Sequence, residues 1–382
     1  MVSELIKVTL RWLIVSVFIV SIIYWQEVDT LFRGFTEPID PPVYNGSNDI
    51  NPKALAAAGR FNPNGFHGLK VADDTEIIFE SGELPFSEMI VETVGDSGFW
   101  RPLMMMSFKF DKTMWGYNPF MYHVTQIVFH ALVCFLLAWL CFTITNSFLA
   151  TGIVIITFGL SSNTEVAVRW LGARSDIMII AFILLATIHS IKSKKIGYMS
   201  TVLFALCTML CKESGIVVIP ILILIEMLRW SNTSLRNTIS LGIAMLFYVT
   251  THFVISYGTS VITPNYFDQD NLWRALRVLA PNVENLGLFT LWSALIVPAA
   301  LWFGKFRIIA IVIMVTKITM FVIVMPKFYL PGMQYGYGIA VCDALLTALA
   351  VQSTTDLAKL KLRYFRMKDG ASFFCYNNLN DL

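Results

Sequence analysis

The chain has 382 residues, of which 56% are hydrophobic and 14% charged, and its formal net charge is +2. Its mean hydropathy of +0.65 is too high for an ordinary soluble domain, and apolar runs of about 20 residues recur along it, as in polytopic helical membrane proteins. The runs do not alternate with polar residues, which excludes a membrane β-barrel, and no Lys/Arg block indicates nucleic-acid binding. We therefore predict an all-α membrane helix bundle.

The N-terminal segment 1–26 has the pattern of an uncleaved signal anchor. The apolar stretch "WLIVSVFIVSIIYW" follows Lys7 and Arg11, and no small-residue cleavage site comes after it. In all, ten membrane spans are predicted. They cover residues 9–26, 119–145, 148–168, 174–191, 196–211, 214–230, 237–257, 284–304, 306–325 and 337–354. The two-residue connection after Thr145 predicts that the helices on either side of it are neighbours.

The distribution of basic residues predicts the sidedness of these spans. Lys and Arg concentrate in alternate connections and in the tail, which places both termini in the cytoplasm. Segment 27–118 then forms an outer loop region with thirteen acidic and four basic residues between Glu27 and Asp96. The bundle occupies 119–354, with a second outer loop at 258–283 whose apolar spacing favours a short surface helix, and 355–382 is a basic cytoplasmic tail. We expect an integral protein of a bacterial inner membrane or of the endoplasmic reticulum.

Five polar clusters interrupt the apolar sequence, and in this topology all five fall on the outer side. Ionisable groups at membrane depth are costly and usually face a cavity or each other, so we expect one outer pocket with acids and bases opposed. The clusters are "ADDTE" (72–76), "FWRPL" (99–103), "NTEVAVRWLGARSD" (163–176), "CKES" (211–214) and "PKFYLPG" (326–332).

Each cluster also has a structural interpretation that the residues leave open. Asp73 and Glu76 fit a helix capping box, and Arg101 fits an interfacial anchor. Glu165, Arg169 and Arg174 fit an ion-pair network at a helix end, since the first two are four residues apart.

The remaining polar residues have such an interpretation too. Lys212 and Glu213 fit a surface turn, and Lys327 and Tyr329 fit ordinary interface positions. His123 and His130, seven residues apart on one helix face, are expected to be buried and hydrogen-bonded rather than metal ligands.

In order along the chain, these motifs resemble those of membrane glycosyltransferases of the GT-C superfamily, in particular the O-mannosyltransferase-like branch that carries tetratricopeptide repeats. The resemblance covers about residues 71–340. It rests on Arg101-Pro102-Leu103, "WGYNP" (115–119) with the histidine-bearing helix after it, "TEVAVRWLGARSDIM" (164–178), "CKESGIVVIPILILIE" (211–226) and "FYLPGMQYGY" (328–337). "ADDTEIIF" (72–79) then takes the place of the family's acidic pair.

The resemblance implies transfer of a sugar from a polyprenyl-phosphate donor to an acceptor hydroxyl on the outer face. Asp73 and Asp74 would supply the general base. Substrate and donor phosphate would be bound by residues from the other clusters: Arg101, Glu165, Arg169, Arg174, Lys212, Glu213, Lys327 and Tyr329. The implied partners are membrane lipids, the lipid-linked sugar and an acceptor protein or glycan. We predict no cofactor, and no pattern supports a divalent metal.

Four departures from the family pattern favour a second hypothesis. About 46 residues separate the first span from the acidic pair, the two histidines before Thr164-Glu165 are replaced by "SSN", the Asn-Pro after the acidic pair is replaced by "ESGELP", and Lys327 stands in place of an arginine. No tetratricopeptide repeat follows residue 340 in this sequence. The alternative is a catalytically inactive accessory subunit of a larger membrane complex, docked through 27–72 or the tail. A lipid or solute transporter is a third alternative, although no repeat symmetry supports it.

Overall fold

A computed structural model describes residues 81–116, 119–192, 197–229, 234–255, 301–324 and 336–377, together with Ser16. Positions 83, 94–98, 160, 162–163, 165–166, 169, 302–303 and 305 are excepted. Within these ranges the structure is helical and contains no strand, which confirms the predicted all-α class. Nine α-helices of ten or more residues occur there. They are α1 (Pro102–Trp115), α2 (Pro119–Thr145), α3 (Phe148–Gly159), α4 (Arg174–Lys192), α5 (Gly197–Cys211), α6 (Val218–Arg229), α7 (Ser234–Ile255), α8 (Arg307–Val324) and α9 (Tyr337–Asn377).

Four helical segments in the described part are long and apolar enough to cross a membrane: Met121–Thr145, Leu171–Ile191, Leu235–Ile255 and Tyr337–Lys361. Two shorter apolar helices, Phe148–Gly159 and Tyr198–Cys211, accompany them. The protein is therefore an integral membrane protein by helix length and composition. The predicted total of ten spans stays a prediction, because 9–26 and 284–304 lie almost wholly outside the described residues, as does the loop 258–283.

Two predicted spans differ from the helices that the structure shows. The span predicted over 148–168 is interrupted: α3 ends at Gly159, and the Ser161 amide donates to the Phe158 carbonyl oxygen at 3.2 Å in the turn that follows. The span predicted over 214–230 divides into a 3₁₀ helix, Glu213–Val217, and α6. In addition, α9 continues to Asn377, far beyond the predicted end of the last span at 354.

The connection between α2 and α3 makes these helices neighbours, as predicted. Asn146 adopts a left-handed backbone conformation with φ of 51°, and the Ser147 hydroxyl accepts a bond from the Ala150 amide at 3.3 Å, which caps α3. The two helices then pack against each other, with the Phe142 and Phe148 ring centroids 5.1 Å apart.

The core lies where α2, α3, α4 and α9 meet. His130 of α2 is fully buried and its Nδ1 lies 2.6 Å from the hydroxyl oxygen of Tyr337 on α9. Phe158 of α3 completes the contact, with its ring 5.3 Å from that of Tyr337. His130 is thus buried and hydrogen-bonded, as predicted from its place on an apolar face.

A partly exposed ion pair joins α8 to α9. The Lys317 ammonium lies 2.5 Å from the Asp343 carboxylate, and both residues lie in apolar stretches of their helices. Charged side chains in such a setting pair with one another because neither ion is solvated by lipid. The pair therefore fixes the register of α8 against α9.

The 3₁₀ helix Glu213–Val217 depends on a close backbone approach at Gly215. A Cβ atom added there would overlap the carbonyl oxygen of Thr208 and lie 2.6 Å from its carbonyl carbon. Only glycine therefore allows the chain to turn back onto the end of α5.

We expect Gly215→Ala to lower the free energy of unfolding by about 1–3 kcal/mol, because the methyl group displaces backbone atoms that do not rotate away. Thermal unfolding in detergent measures the loss. Gly242→Ala, in the interior of α7, is the matched control, since its added Cβ meets nothing within 4 Å. Equal losses in the two variants would contradict the close approach.

Candidate functional site

A fully buried arginine connects the beginning of α4 to α1 and α2. The side chains of Arg174 and Asp111 are both 0% exposed, and Arg174 Nη1 lies 2.6 Å from Asp111 Oδ2. Arg174 also donates from Nε to Gln126 Oε1 at 3.1 Å and from Nη2 to the Tyr122 carbonyl at 3.0 Å. Its guanidinium lies 4.1 Å from the centre of the Phe108 ring, a cation–π distance.

The partners of Arg174 are themselves held in place. The Thr125 hydroxyl donates to Asp111 Oδ1 at 2.8 Å, and Gln126 Nε2 donates to the carbonyl oxygens of Ala167 and Trp170 at 2.8 and 3.1 Å. Burial raises the pKa of the Asp111 carboxyl, while Arg174 and Thr125 oppose this effect. We refer to Asp111, Tyr122, Thr125, Gln126 and Arg174 as the Arg174 network.

A second group of charges lies at the beginning of α1 and the end of α5. Arg101 donates from Nε to Glu213 Oε1 at 3.1 Å and from Nη2 to Glu213 Oε2 at 2.9 Å. This bidentate geometry is the strong form of an arginine–carboxylate pair. The Arg101 guanidinium also lies 3.9 Å from the centre of the Phe99 ring.

Lys212 pairs with Asp176 beside this contact. The Lys212 ammonium donates to both carboxylate oxygens of Asp176, each at 2.8 Å. Burial lowers the pKa of Lys212; the Asp176 carboxylate opposes this effect, and the nearby charge of Arg101 adds to it. We refer to Arg101, Asp176, Lys212 and Glu213 as the ion cluster. Glu213 is its most accessible member, with 23% of its side chain exposed.

Aromatic side chains pack beside the ion cluster. Trp100 precedes Arg101, donates from its indole to the Ile90 carbonyl at 2.8 Å and stacks on Tyr248 of α7, with ring centroids 5.8 Å apart. His252, one turn further along α7, stacks on Tyr248 at 5.5 Å. The late part of α7 therefore lies against the segment that carries Arg101.

The structure brings together three of the residues predicted to form a site and separates a fourth. Arg101, Lys212 and Glu213 share the ion cluster, whereas Arg174 lies in its own buried network. Arg174 is enclosed by protein groups and paired with Asp111, and its assignment to the donor phosphate stays a prediction. The other predicted site residues lie outside the described part of the chain: Asp73, Asp74, Glu165, Arg169, Lys327 and Tyr329.

Sequence reasoning missed two acidic residues that pair with the predicted cations. Asp176 was within "GARSD" but had no role assigned, and Asp111 lies in α1 among residues we treated as an outer loop. Asp111 has no local signal, because its partner Arg174 follows it by sixty-three positions. Partners this distant do not show in local patterns.

Comparison with known proteins supports a likeness to one branch of membrane glycosyltransferases. The chain is 28% identical over 131 residues to the Drosophila melanogaster protein O-mannosyl-transferase Tmtc1 and 28% identical over 150 residues to the Homo sapiens protein O-mannosyl-transferase TMTC1. The aligned regions are 32% and 35% of this chain but only 15% and 17% of those relatives. No family model and no solved structure matches.

We expect Arg174→Met to lower the free energy of unfolding by about 3–5 kcal/mol, because it leaves the Asp111 carboxylate buried without its cation. Asp111→Leu should have a similar effect for the converse reason. The double variant, which removes both charges, should lose clearly less than the sum of the two losses. Thermal or denaturant unfolding of the purified protein measures all three variants. Strictly additive losses would show that the two side chains do not act as a pair.

Proposed function

We propose that the protein transfers a sugar from a polyprenyl-phosphate donor to an acceptor hydroxyl on the outer face of the membrane. The observation that supports this proposal best is the ion cluster. Three segments that resemble separate glycosyltransferase motifs converge there, since Arg101 follows the Phe-Trp pair, Asp176 begins α4 and Lys212-Glu213 follows α5. The similarity to the two O-mannosyl-transferases is consistent with this resemblance.

The chemistry assigned to these residues follows from the reaction. The acceptor hydroxyl needs a general base, and a carboxylate within hydrogen-bond reach serves in that role; we assign it to Asp73 or Asp74. The leaving group is a lipid phosphate, whose developing charge is stabilised by fixed cations. Arg101 presents a planar fork suited to phosphate oxygens and Lys212 a compact point charge. Both cations lie in a setting with little water, where their interaction with an anion is strong.

A second candidate function is a structural subunit without transfer activity. The observation that favours it is that each cation of the ion cluster already has a bidentate carboxylate partner in this chain. Two cations and two carboxylates sum to no net charge. Ion pairs of this kind fix helix ends whether or not a substrate binds, so the cluster alone does not require catalysis.

The test is to assay the variants Asp73→Asn and Asp74→Asn for sugar transfer from polyprenyl-phosphate sugars in membranes. The variant that removes the base should lose about 10²–10⁴-fold in turnover, because an amide does not accept the acceptor proton. In the same assay Arg101→Lys should raise KM for the donor, since it keeps the charge but not the fork.

The control is Glu88→Gln, which removes an exposed carboxylate from the same acidic segment and should leave transfer unchanged. Undiminished transfer by both aspartate variants would remove the acidic pair from the mechanism. Absence of transfer by the unaltered protein with every polyprenyl-phosphate sugar tested would favour the structural subunit.

If the structural role is the right one, deletion of 36–65 should abolish co-purification of a partner in mild detergent. The reason is that this Pro- and Asn-rich segment is the part of the outer loop with the least resemblance to a transferase motif. Affinity purification followed by gel filtration measures the loss. A chain that purifies alone both with and without the segment would contradict the role.

A further inference from the structure

A groove runs between α5 and α7 at the end of these helices that lies away from the ion cluster. It encloses about 720 Å³. Its polar end is formed by Tyr198, Arg236 and Ser240, which belong to the first turn of α5 and the first two turns of α7. The opposite ends of the same helices approach the ion cluster, because Lys212 follows α5 and Tyr248 of α7 stacks on Trp100.

Beyond this polar end, the walls of the groove are apolar. Val202 and Leu206 line it from α5, and Ile243 and Phe247 line it from α7. At 1.5 Å per residue, the lining reaches about 12 Å along α5 and about 16 Å along α7. Half of a hydrocarbon core of about 30 Å is about 15 Å. The groove therefore has the depth of one leaflet.

The groove opens sideways, toward the surroundings of the bundle. In the most apolar stretch of the span Leu235–Ile255 only 17% of residues are buried, and Phe247 is 63% exposed. In a membrane-spanning helix this outward apolar face meets acyl chains. An occupant that fits the groove is consequently a lipid with its tail along the walls.

The charge at the groove entrance determines which lipid headgroup the groove prefers. Arg236 is the charged residue among those lining the groove in the described part of the chain, and it is exposed. Glu226 lies behind this end but is buried, and its two oxygens accept bonds from Ser190 at 3.1 Å and Asn237 at 3.0 Å. The cation at the groove entrance is therefore the group that a headgroup meets, and basic residues at this depth attract anionic lipids.

We propose that this groove binds one acidic phospholipid from the leaflet opposite the ion cluster. Its phosphate contacts Arg236, the hydroxyls of Tyr198 and Ser240 lie at headgroup depth, and an acyl chain lies between α5 and α7. The site is separate from the proposed donor site, because the two lie at opposite ends of the same helices. It does not depend on the protein having transferase activity.

Native mass spectrometry of the full chain in mild detergent tests the proposal. The delipidated protein is titrated with phosphatidylglycerol and with phosphatidylcholine of the same acyl chains. We expect one phosphatidylglycerol to bind about fivefold more tightly than phosphatidylcholine, the preference that a single interfacial cation contributes. Arg236→Gln should remove this preference.

Two further variants make the result specific. Lys359→Gln removes an exposed charge on α9, outside the groove, and should leave the preference intact. Ala244→Phe adds a ring to the groove wall and should weaken binding of both lipids, whereas Arg236→Gln weakens only the acidic one. Equal affinity for the two lipids in the unaltered protein would overturn the proposal. A preference that survives Arg236→Gln would overturn it too. So would a dimer of the unaltered protein that dissociates in Ala244→Phe, because the groove would then be an interface between two copies of the chain.

Discussion

A buried charge in a membrane protein needs a counter-charge and hydrogen-bond partners from the protein itself. Among the described residues, Arg174 is the one to which this constraint applies most strongly. Its guanidinium is fully enclosed and reaches Asp111 on α1 and both Tyr122 and Gln126 on α2. Removing Asp111 leaves the guanidinium with neither water nor counter-charge, which costs several kcal/mol. The Arg174 network therefore determines how α1 sits on the bundle.

The position of the ion cluster follows from that of the Arg174 network. Arg174 and Asp176 both lie in the first turn of α4, and two residues of helix turn the chain by about 200°. One side chain is consequently directed to α1 and α2 while the other meets Lys212 at the end of α5. At the other side of the cluster, Arg101 is the N-cap residue of α1, the same helix that Asp111 joins to Arg174. Both ion pairs of the cluster are thus held by elements that the Arg174 network fixes.

The sequence was sufficient for features that depend on local pattern. Apolar runs predicted the helices around His130, Ile180 and Leu345, because a buried helix needs continuous apolar residues whatever its neighbours are. The limits of α3 were mispredicted, because the predicted span extends across the polar residues 161–165, whereas the helix ends at Gly159. The division at Gly215 was missed for a related reason: the contact with Thr208 that makes glycine necessary is a contact between backbones.

The candidate site shows the same limit more sharply. Arg101, Lys212 and Glu213 were identified because each interrupts apolar sequence, and Arg174 was identified for the same reason. Arg174 differs from the other three in its counter-charge, which is Asp111. In the sequence alone, Asp111 and Glu213 look alike, because each is an isolated acidic residue. Their difference lies in exposure, 0% for one side chain and 23% for the other, which depends on packing between helices that are distant in sequence.

That difference in exposure also bears on how a phosphate would reach the ion cluster. The cluster carries no net charge, so an anion gains little by approaching it intact; it has to replace a carboxylate as the partner of a cation. Asp176 is held within a helix and is 12% exposed, whereas Glu213 lies in a short 3₁₀ helix and is nearly twice as exposed. Exchange is therefore less costly at Arg101 than at Lys212. In the transfer role the Arg101–Glu213 pair opens while the Lys212–Asp176 pair keeps α4 and α5 together; in the structural role both pairs stay closed.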